Sequence, residues 1–165
     1  MVATGTDSYW FISLVETIRI LEVKDEVKVE TCSRTAPEYP LKGAAAAGAT
    51  LINGDPLICG GLHSKDYRKD YTDKCYRLDK NQWQEAPQLP SARAYLAMTT
   101  TDQTTFISGG GYDVNKLNEF HQLKGESWHS LTPLPINVTS HCLVALNSTH
   151  LLNIGGTDSN WGVSK

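Results

Sequence analysis

The chain has no closely paired cysteines, no long apolar run and no large excess of charge of either sign. Each absence removes a class of function. Its 4 cysteines, Cys32, Cys59, Cys75 and Cys142, include no CxxC pair, which argues against a thiolate zinc site. No apolar run reaches the ~20 residues of a membrane-spanning helix. With 15 Lys and Arg against 18 Asp and Glu, the 165 residues carry a net charge of -3. That gives neither the basic field that attracts nucleic acid nor an acidic tail. The opening residues, Met1 to Ser8, lack a basic stretch followed by an apolar one. They do not read as a secretory signal, so a cytoplasmic protein is expected, or an extracellular one if the true N-terminus lies further upstream.

Motifs for catalysis are also missing. There is no Gly-x-Ser-x-Gly elbow, no phosphate-binding loop and no His-Glu-x-x-His. The 5 histidines, His63, His121, His129, His141 and His150, show no short-range pairing of the kind that holds a metal. The expectation is therefore no enzyme, no cofactor and no metal site.

What the sequence does have is a repeat. A short apolar run ending in two glycines occurs as Leu57-Ile58-Cys59-Gly60-Gly61, as Phe106-Ile107-Ser108-Gly109-Gly110 and as Leu152-Asn153-Ile154-Gly155-Gly156. A worn copy ends at Gly5. There Thr4-Gly5-Thr6-Asp7-Ser8-Tyr9-Trp10 aligns with Gly155-Gly156-Thr157-Asp158-Ser159-Asn160-Trp161, with 5 of 7 positions identical. The second glycines fall at 5, 61, 110 and 156, in steps of 56, 49 and 46 residues. Trp83 and Trp128 keep the same phase, each five residues after a leucine and seven before a proline. The first copy has Cys32-Ser33 where the tryptophan belongs.

The intervals read as strands. Residues 44–50 and 57–59 flank Asn53-Gly54, a strong hairpin signal. Residues 95–99 and 105–108 flank Asp102-Gln103, and residues 142–146 and 151–154 flank Asn147-Ser148. The segment from Glu16 to Glu22 fits neither the helical nor the strand template cleanly, and by phase it is read as the third strand of the first blade. Four short strands per repeat make one blade of a propeller.

The double glycines, the tryptophans and the prolines after them resemble the kelch repeat family across nearly the whole chain. The implied fold is all-β: a partial kelch-type β-propeller of four-stranded antiparallel blades. Residues 1–40 would be an incomplete, degenerate first blade, 41–93 a second, 94–139 a third and 140–165 the start of a fourth. Kelch repeats commonly place an arginine after the proline. Arg93 fits that place, and the next repeat has Val138 in that region. About three blade-equivalents do not close a ring of ordinary curvature. The remaining blades would come from a longer chain, of which this is a fragment, or from a second copy. The glycines Gly5, Gly60, Gly61, Gly109, Gly110, Gly155 and Gly156 and the rings of Trp83 and Trp128 are expected to serve the packing of blades.

The resemblance implies an interaction scaffold whose partner is another protein. Loops on a rigid sheet carry such a role. The longest, from Leu62 to Asp73, holds His63, Lys65, Asp66, Tyr67, Arg68, Lys69, Asp70 and Tyr71, rich in the residue types that dominate binding hot spots. Equivalent loops carry Tyr9, Trp10 and Phe11, then Tyr112, Asp113, Asn115 and Lys116, then Asp158, Asn160 and Trp161. All are expected on one face. A second reading is an extracellular recognition domain. It rests on a candidate Cys59–Cys75 disulfide and on glycosylation triplets at Asn137 and Asn147. A third is part of an enzyme resembling galactose oxidase, for which the histidine spacing gives no support.

Overall fold

A computed structural model describes the backbone of residues 2–7, 10–23 and 26–31, and residues 37–41, 46–62, 70–102 and 104–158 with their side chains. Strands β1 (Val2–Asp7), β2 (Trp10–Val23) and β3 (Glu26–Thr31) form an antiparallel sheet in that order. Strands β4 (Gly48–Ile52), β5 (Asp55–Cys59), β6 (Cys75–Asp79) and β7 (Gln82–Ala86) form a four-stranded antiparallel meander. The next sheet begins with β8 (Ala97–Thr101) and β9 (Thr104–Ser108). A small hairpin interrupts it, β10 (Gly111–Tyr112) with β11 (Asn115–Lys116). The sheet then finishes with β12 (Phe120–Lys124) and β13 (Ser127–Ser130). Strands β14 (Cys142–Ala145) and β15 (Leu151–Ile154) pair as a hairpin. No helix occurs among the described residues, and the segment from Glu16 to Glu22 lies within β2. The expected all-β class with four-stranded antiparallel sheets is what the chain shows.

Turn chemistry sets the hairpins. Asn53 and Gly54 both take positive φ, 53° and 88°, the type I′ geometry whose twist matches paired strands. Lys80 and Asn81 do the same at 45° and 64°, without a glycine to announce it. The first strand of the two four-stranded sheets starts later than the sequence suggests, at Gly48 and Ala97 rather than at 44 and 95. Ala46, Tyr95 and Ser140 sit at φ of 53°, 58° and 56°, each two residues ahead of its strand. A left-handed residue cannot extend a strand. These residues instead join the sheets: Tyr95 N–H donates to Ala46 O at 2.8 Å, and Ser140 N–H donates to Tyr95 O at 3.0 Å.

The pairs Gly60-Gly61 and Gly109-Gly110 fasten their sheets to the segment leading to the next. Gly61 N–H donates to Arg93 O at 2.8 Å, and Gly110 N–H donates to Val138 O at 2.9 Å. In these two pairs the first glycine lies beneath the same carbonyl. A Cβ on Gly60 would stand 2.6 Å from Arg93 O, and one on Gly109 would stand 2.4 Å from Val138 O. Arg93 and Val138 therefore occupy one place in successive repeats.

Between the two four-stranded sheets lies the main core. Leu57, Cys59 and Cys75 meet Leu96, Met98 and Ile107, with Leu89 and the half-buried Trp128 against them. A second cluster, Tyr39, Ile58 and Tyr76, covers the opposite face of the β4–β7 sheet, with Leu41 and Trp83 packed on it. Each tryptophan pairs across its hairpin with the leucine of its repeat, Leu78 with Trp83 and Leu123 with Trp128. Each also reaches outward: Trp83 Nε1 donates to Pro37 O and Trp128 Nε1 to Pro87 O, both at 2.9 Å. The rings fill the space between neighbouring segments while their one polar atom stays satisfied. Cys59 and Cys75 are cross-strand partners in the core and are joined as a disulfide.

Two glycines separate the effect of conformation from that of close approach. Gly125 has φ of 57° and nothing within 4 Å of an added Cβ. Gly125→Ala is expected to cost ~1 kcal/mol in urea unfolding, from backbone conformation alone. Gly109→Ala meets the Val138 carbonyl as well and is expected to cost at least ~1–2 kcal/mol more. Equal costs would remove the close approach from the account.

Candidate binding face

The described residues that follow the glycine pairs lie close together. At the root of the long loop, Leu62 and Tyr71 form an isolated bridge, and Thr72 N–H donates to Gly61 O at 3.0 Å. Ala94 and Gly111 form another bridge, exchanging both hydrogen bonds at 2.8 and 2.9 Å. Thr139 and Thr157 form a third, with their hydroxyls 3.1 Å apart. These bridges hold a cleft of about 270 Å³. Tyr71, Tyr95, Asn115, Lys116, Ser140 and Thr157 are among its lining residues. Lys116 is fixed in place: its Nζ donates to Thr157 Oγ1 at 3.2 Å and to Asp158 O. The cleft thus joins aromatic faces, an oriented ammonium and several hydroxyls over a base held by backbone bonds. It suits a chain that brings both apolar surface and hydrogen-bonding groups.

Beside the segment after the proline lies a different arrangement. Arg93 is fully buried. Its guanidinium donates to Ser91 O at 3.3 Å, to Ser91 Oγ at 2.6 Å, to Gly109 O at 3.2 Å and to a Glu119 carboxylate oxygen. The same Glu119 oxygen lies 3.1 Å from His121 Nε2, and His121 Nδ1 lies 3.3 Å from Ser130 Oγ. Burial pushes the Glu119 carboxyl up, but the hydrogen bonds and charges of Arg93 and His121 outweigh it and hold the group below the usual carboxylate range. A buried cation with a bonded partner braces one sheet against the next. Glu119 and His121 also line a cleft of about 380 Å³. Among the described residues no group of three metal-ligating side chains could hold a metal ion.

No family model matches the chain, and no curated protein matches it either. Solved structures do match its fold. One, described as "Structure of YjhT", superposes with a TM-score of 0.67 and 17% identity. The match covers 79% of this chain and 43% of that one. This likeness is one of fold. The chain spans less than half the length of the structure it matches.

Of the residues singled out in the sequence, Tyr71, Asp113, Asn115 and Lys116 meet in the 270 Å³ cleft. Tyr112 is exposed and pairs with Asn115 in the β10–β11 hairpin. Trp10 and Phe11 begin β2 rather than a loop. Tyr9, His63, Lys65, Asp66, Tyr67, Arg68, Lys69, Asn160 and Trp161 lie outside the described residues, as do Cys32, Ser33 and Gln103. Asn137 and Asn147 are exposed, and the Asn147 side chain accepts hydrogen bonds at 2.9 Å from the backbone of Thr149 and His150. Tyr95 and Ser140 were missed as lining residues. The signal for them was spacing: Ala46, Tyr95 and Ser140 hold one phase of the repeat but share no chemistry.

Two groups make acid stability separable. His141 is buried, with Nε2 2.8 Å from Ser108 Oγ and Nδ1 without a hydrogen-bond partner. Burial pushes its pKa below the ordinary imidazole range. The unfolded chain then binds a proton more readily than the folded one, so stability falls as pH drops below that range. Glu119 adds a later loss, as pH falls from the ordinary carboxylate range through its lowered folded value. Urea midpoints measured against pH should show both steps. His141→Gln should remove the first and Glu119→Gln the second. Retention of both steps in both variants would contradict these assignments.

Proposed function

We propose that the chain is a protein-recognition module of the kelch-repeat kind, which holds a peptide segment of its partner in the cleft formed by Tyr71, Tyr95, Asn115 and Lys116. The observation that carries this reading is the convergence of the cleft's lining from three consecutive repeats onto one rigid base. Tyrosines offer large contact area with few rotatable bonds and a hydroxyl at the rim, which suits recognition of another chain. Asp113 and Lys116 place hydrogen-bonding groups of both signs in the same cleft, which suits a polar backbone. The neighbouring β10–β11 hairpin, with Tyr112 and the exposed Val114 near its tip, extends the surface beyond the cleft.

One observation favours placing that recognition in an oxidising compartment: the bonded Cys59–Cys75 pair in the core. Exposed Asn137 and Asn147 are compatible acceptors for glycans. An alkylated, non-reduced sample from the native source should carry two blocked thiols fewer than a reduced one. A full set of reactive thiols would remove this second reading.

Peptides selected from a displayed library against the immobilised chain test the first reading. Their affinity is expected to fall by about tenfold or more in Tyr71→Ala/Asn115→Ala, the loss typical of hot-spot truncation. Lys116→Gln should weaken binding as well, by loosening the Thr157 side of the cleft. Unchanged affinities in both variants would move the binding site elsewhere.

A further inference from the structure

Ser130, His121 and Glu119 stand in line in the wall of the second cleft, away from Tyr71. Register puts the first two together: His121 is the cross-strand partner of Ser130 in the β12–β13 pair. Glu119 immediately precedes β12. His121 is 4% exposed, while Ser130 opens to solvent. Trp128, two residues before Ser130 on the same face of β13, bonds Pro87 O. Ser130 therefore faces the segment that runs on to Pro90 and Ser91, and both of these line the cleft of about 380 Å³.

Arg93 fixes the direction of the hydrogen bonds. Its guanidinium donates to a Glu119 oxygen, and the Glu119 carboxyl is held below its ordinary range, so Glu119 is an anion that can only accept. His121 Nε2 then carries the hydrogen of the 3.1 Å bond to that oxygen. A neutral ring with its hydrogen on Nε2 has a bare Nδ1, and the Ser130 hydroxyl donates to it at 3.3 Å. Hydroxyl, imidazole and carboxylate are thus connected in the order that activates a serine. Nucleophile–base contacts as loose as this one tighten when substrate binds.

We infer that Ser130 is a nucleophile toward small carboxylic esters, with His121 as its base and Glu119 as the group that orients His121. Ser130 Oγ adds to the ester carbonyl carbon, and its proton passes to His121 Nδ1. The bond to the alcohol breaks, and the alcohol leaves with that proton. Water, giving its proton to the same nitrogen, attacks the acyl-serine, and Ser130 recovers the proton as the acid is released. Asn118 lines the same cleft; its side-chain nitrogen donates one hydrogen to Leu134 O at 3.2 Å and has a second to offer the carbonyl oxygen. Pro90, Phe120, Leu131 and Pro133 supply apolar wall for a short acyl chain. The inference does not rest on recognition of a peptide at Tyr71.

Labelling of the full chain with an alkyl fluorophosphonate tests it. Ser130 Oγ displaces fluoride from phosphorus, and the stable adduct is located by tandem mass spectrometry. The expected result is one adduct, at Ser130 and not at the exposed Ser127 or the cleft-lining Ser91, formed at a rate that saturates with probe concentration. His121→Gln should slow it by about a hundredfold or more. Glu119→Gln should lower the maximal rate and leave the half-saturating probe concentration unchanged, a split that a collapsed cleft would not give. Ser130→Ala, at an exposed position, should keep the wild-type urea midpoint and lose hydrolysis of para-nitrophenyl butyrate. No adduct, equal labelling of the three serines, or a wild-type rate in His121→Gln would overturn the inference. A raised half-saturating concentration in Glu119→Gln would overturn the orienting role of Glu119. The Tyr71→Ala/Asn115→Ala variant should label at the wild-type rate, so failure of one reading is distinct from failure of the other.

Discussion

The architecture depends on a carbonyl oxygen sitting where a Cβ would be. In successive repeats the chain leaves its second strand through two glycines. The first lies under the carbonyl of Arg93 or Val138, and the second donates its N–H to that same oxygen. The contact joins residues some thirty positions apart and ties each sheet to the segment that starts the next. Any side chain at the first glycine would push the two segments apart. The neighbouring contacts follow from this approach: the bridges at Ala94–Gly111 and Thr139–Thr157, and the Tyr95 links to Ala46 and Ser140.

That constraint also explains how much could be read from the sequence. A requirement for no side chain leaves a visible mark, so the glycine pairs set the phase of the repeats after the first. Trp83 and Trp128 were equally visible, because a large ring needs a large space between segments. The Asn53-Gly54 turn showed itself through residues that tolerate positive φ. The turn at Lys80-Asn81 did not, since its conformation is imposed by the strands on either side. The starts of β4 and β8 were misplaced for a similar reason. Ala46, Tyr95 and Ser140 adopt one backbone conformation with three unrelated side chains, and only the hydrogen bonds between sheets hold them there.

The candidate site was half legible. Tyr71, Asp113, Asn115 and Lys116 could be named because polar and aromatic residues in loops are conspicuous. Their meeting in one cleft could not, since it depends on how neighbouring sheets are set against each other. Arg93 carried a different lesson. Its place after the proline marked it as part of the repeat, and the structure shows it as a buried brace bonded to Glu119 and Gly109. The repeat therefore supplies a stiff base, and the residues around Tyr71 and Asn115 sit above it.

Amide hydrogen exchange at Gly61 and Gly110 tests the central claim most directly, because those two N–H groups are the fastening itself. Although both lie outside regular strands, they should exchange as slowly as the amide of Ile107 in the middle of the core, through the same cooperative opening. Exchange at the rate of exposed loop amides, with Ile107 still protected, would show that the sheets stay together without these bonds and would contradict the account.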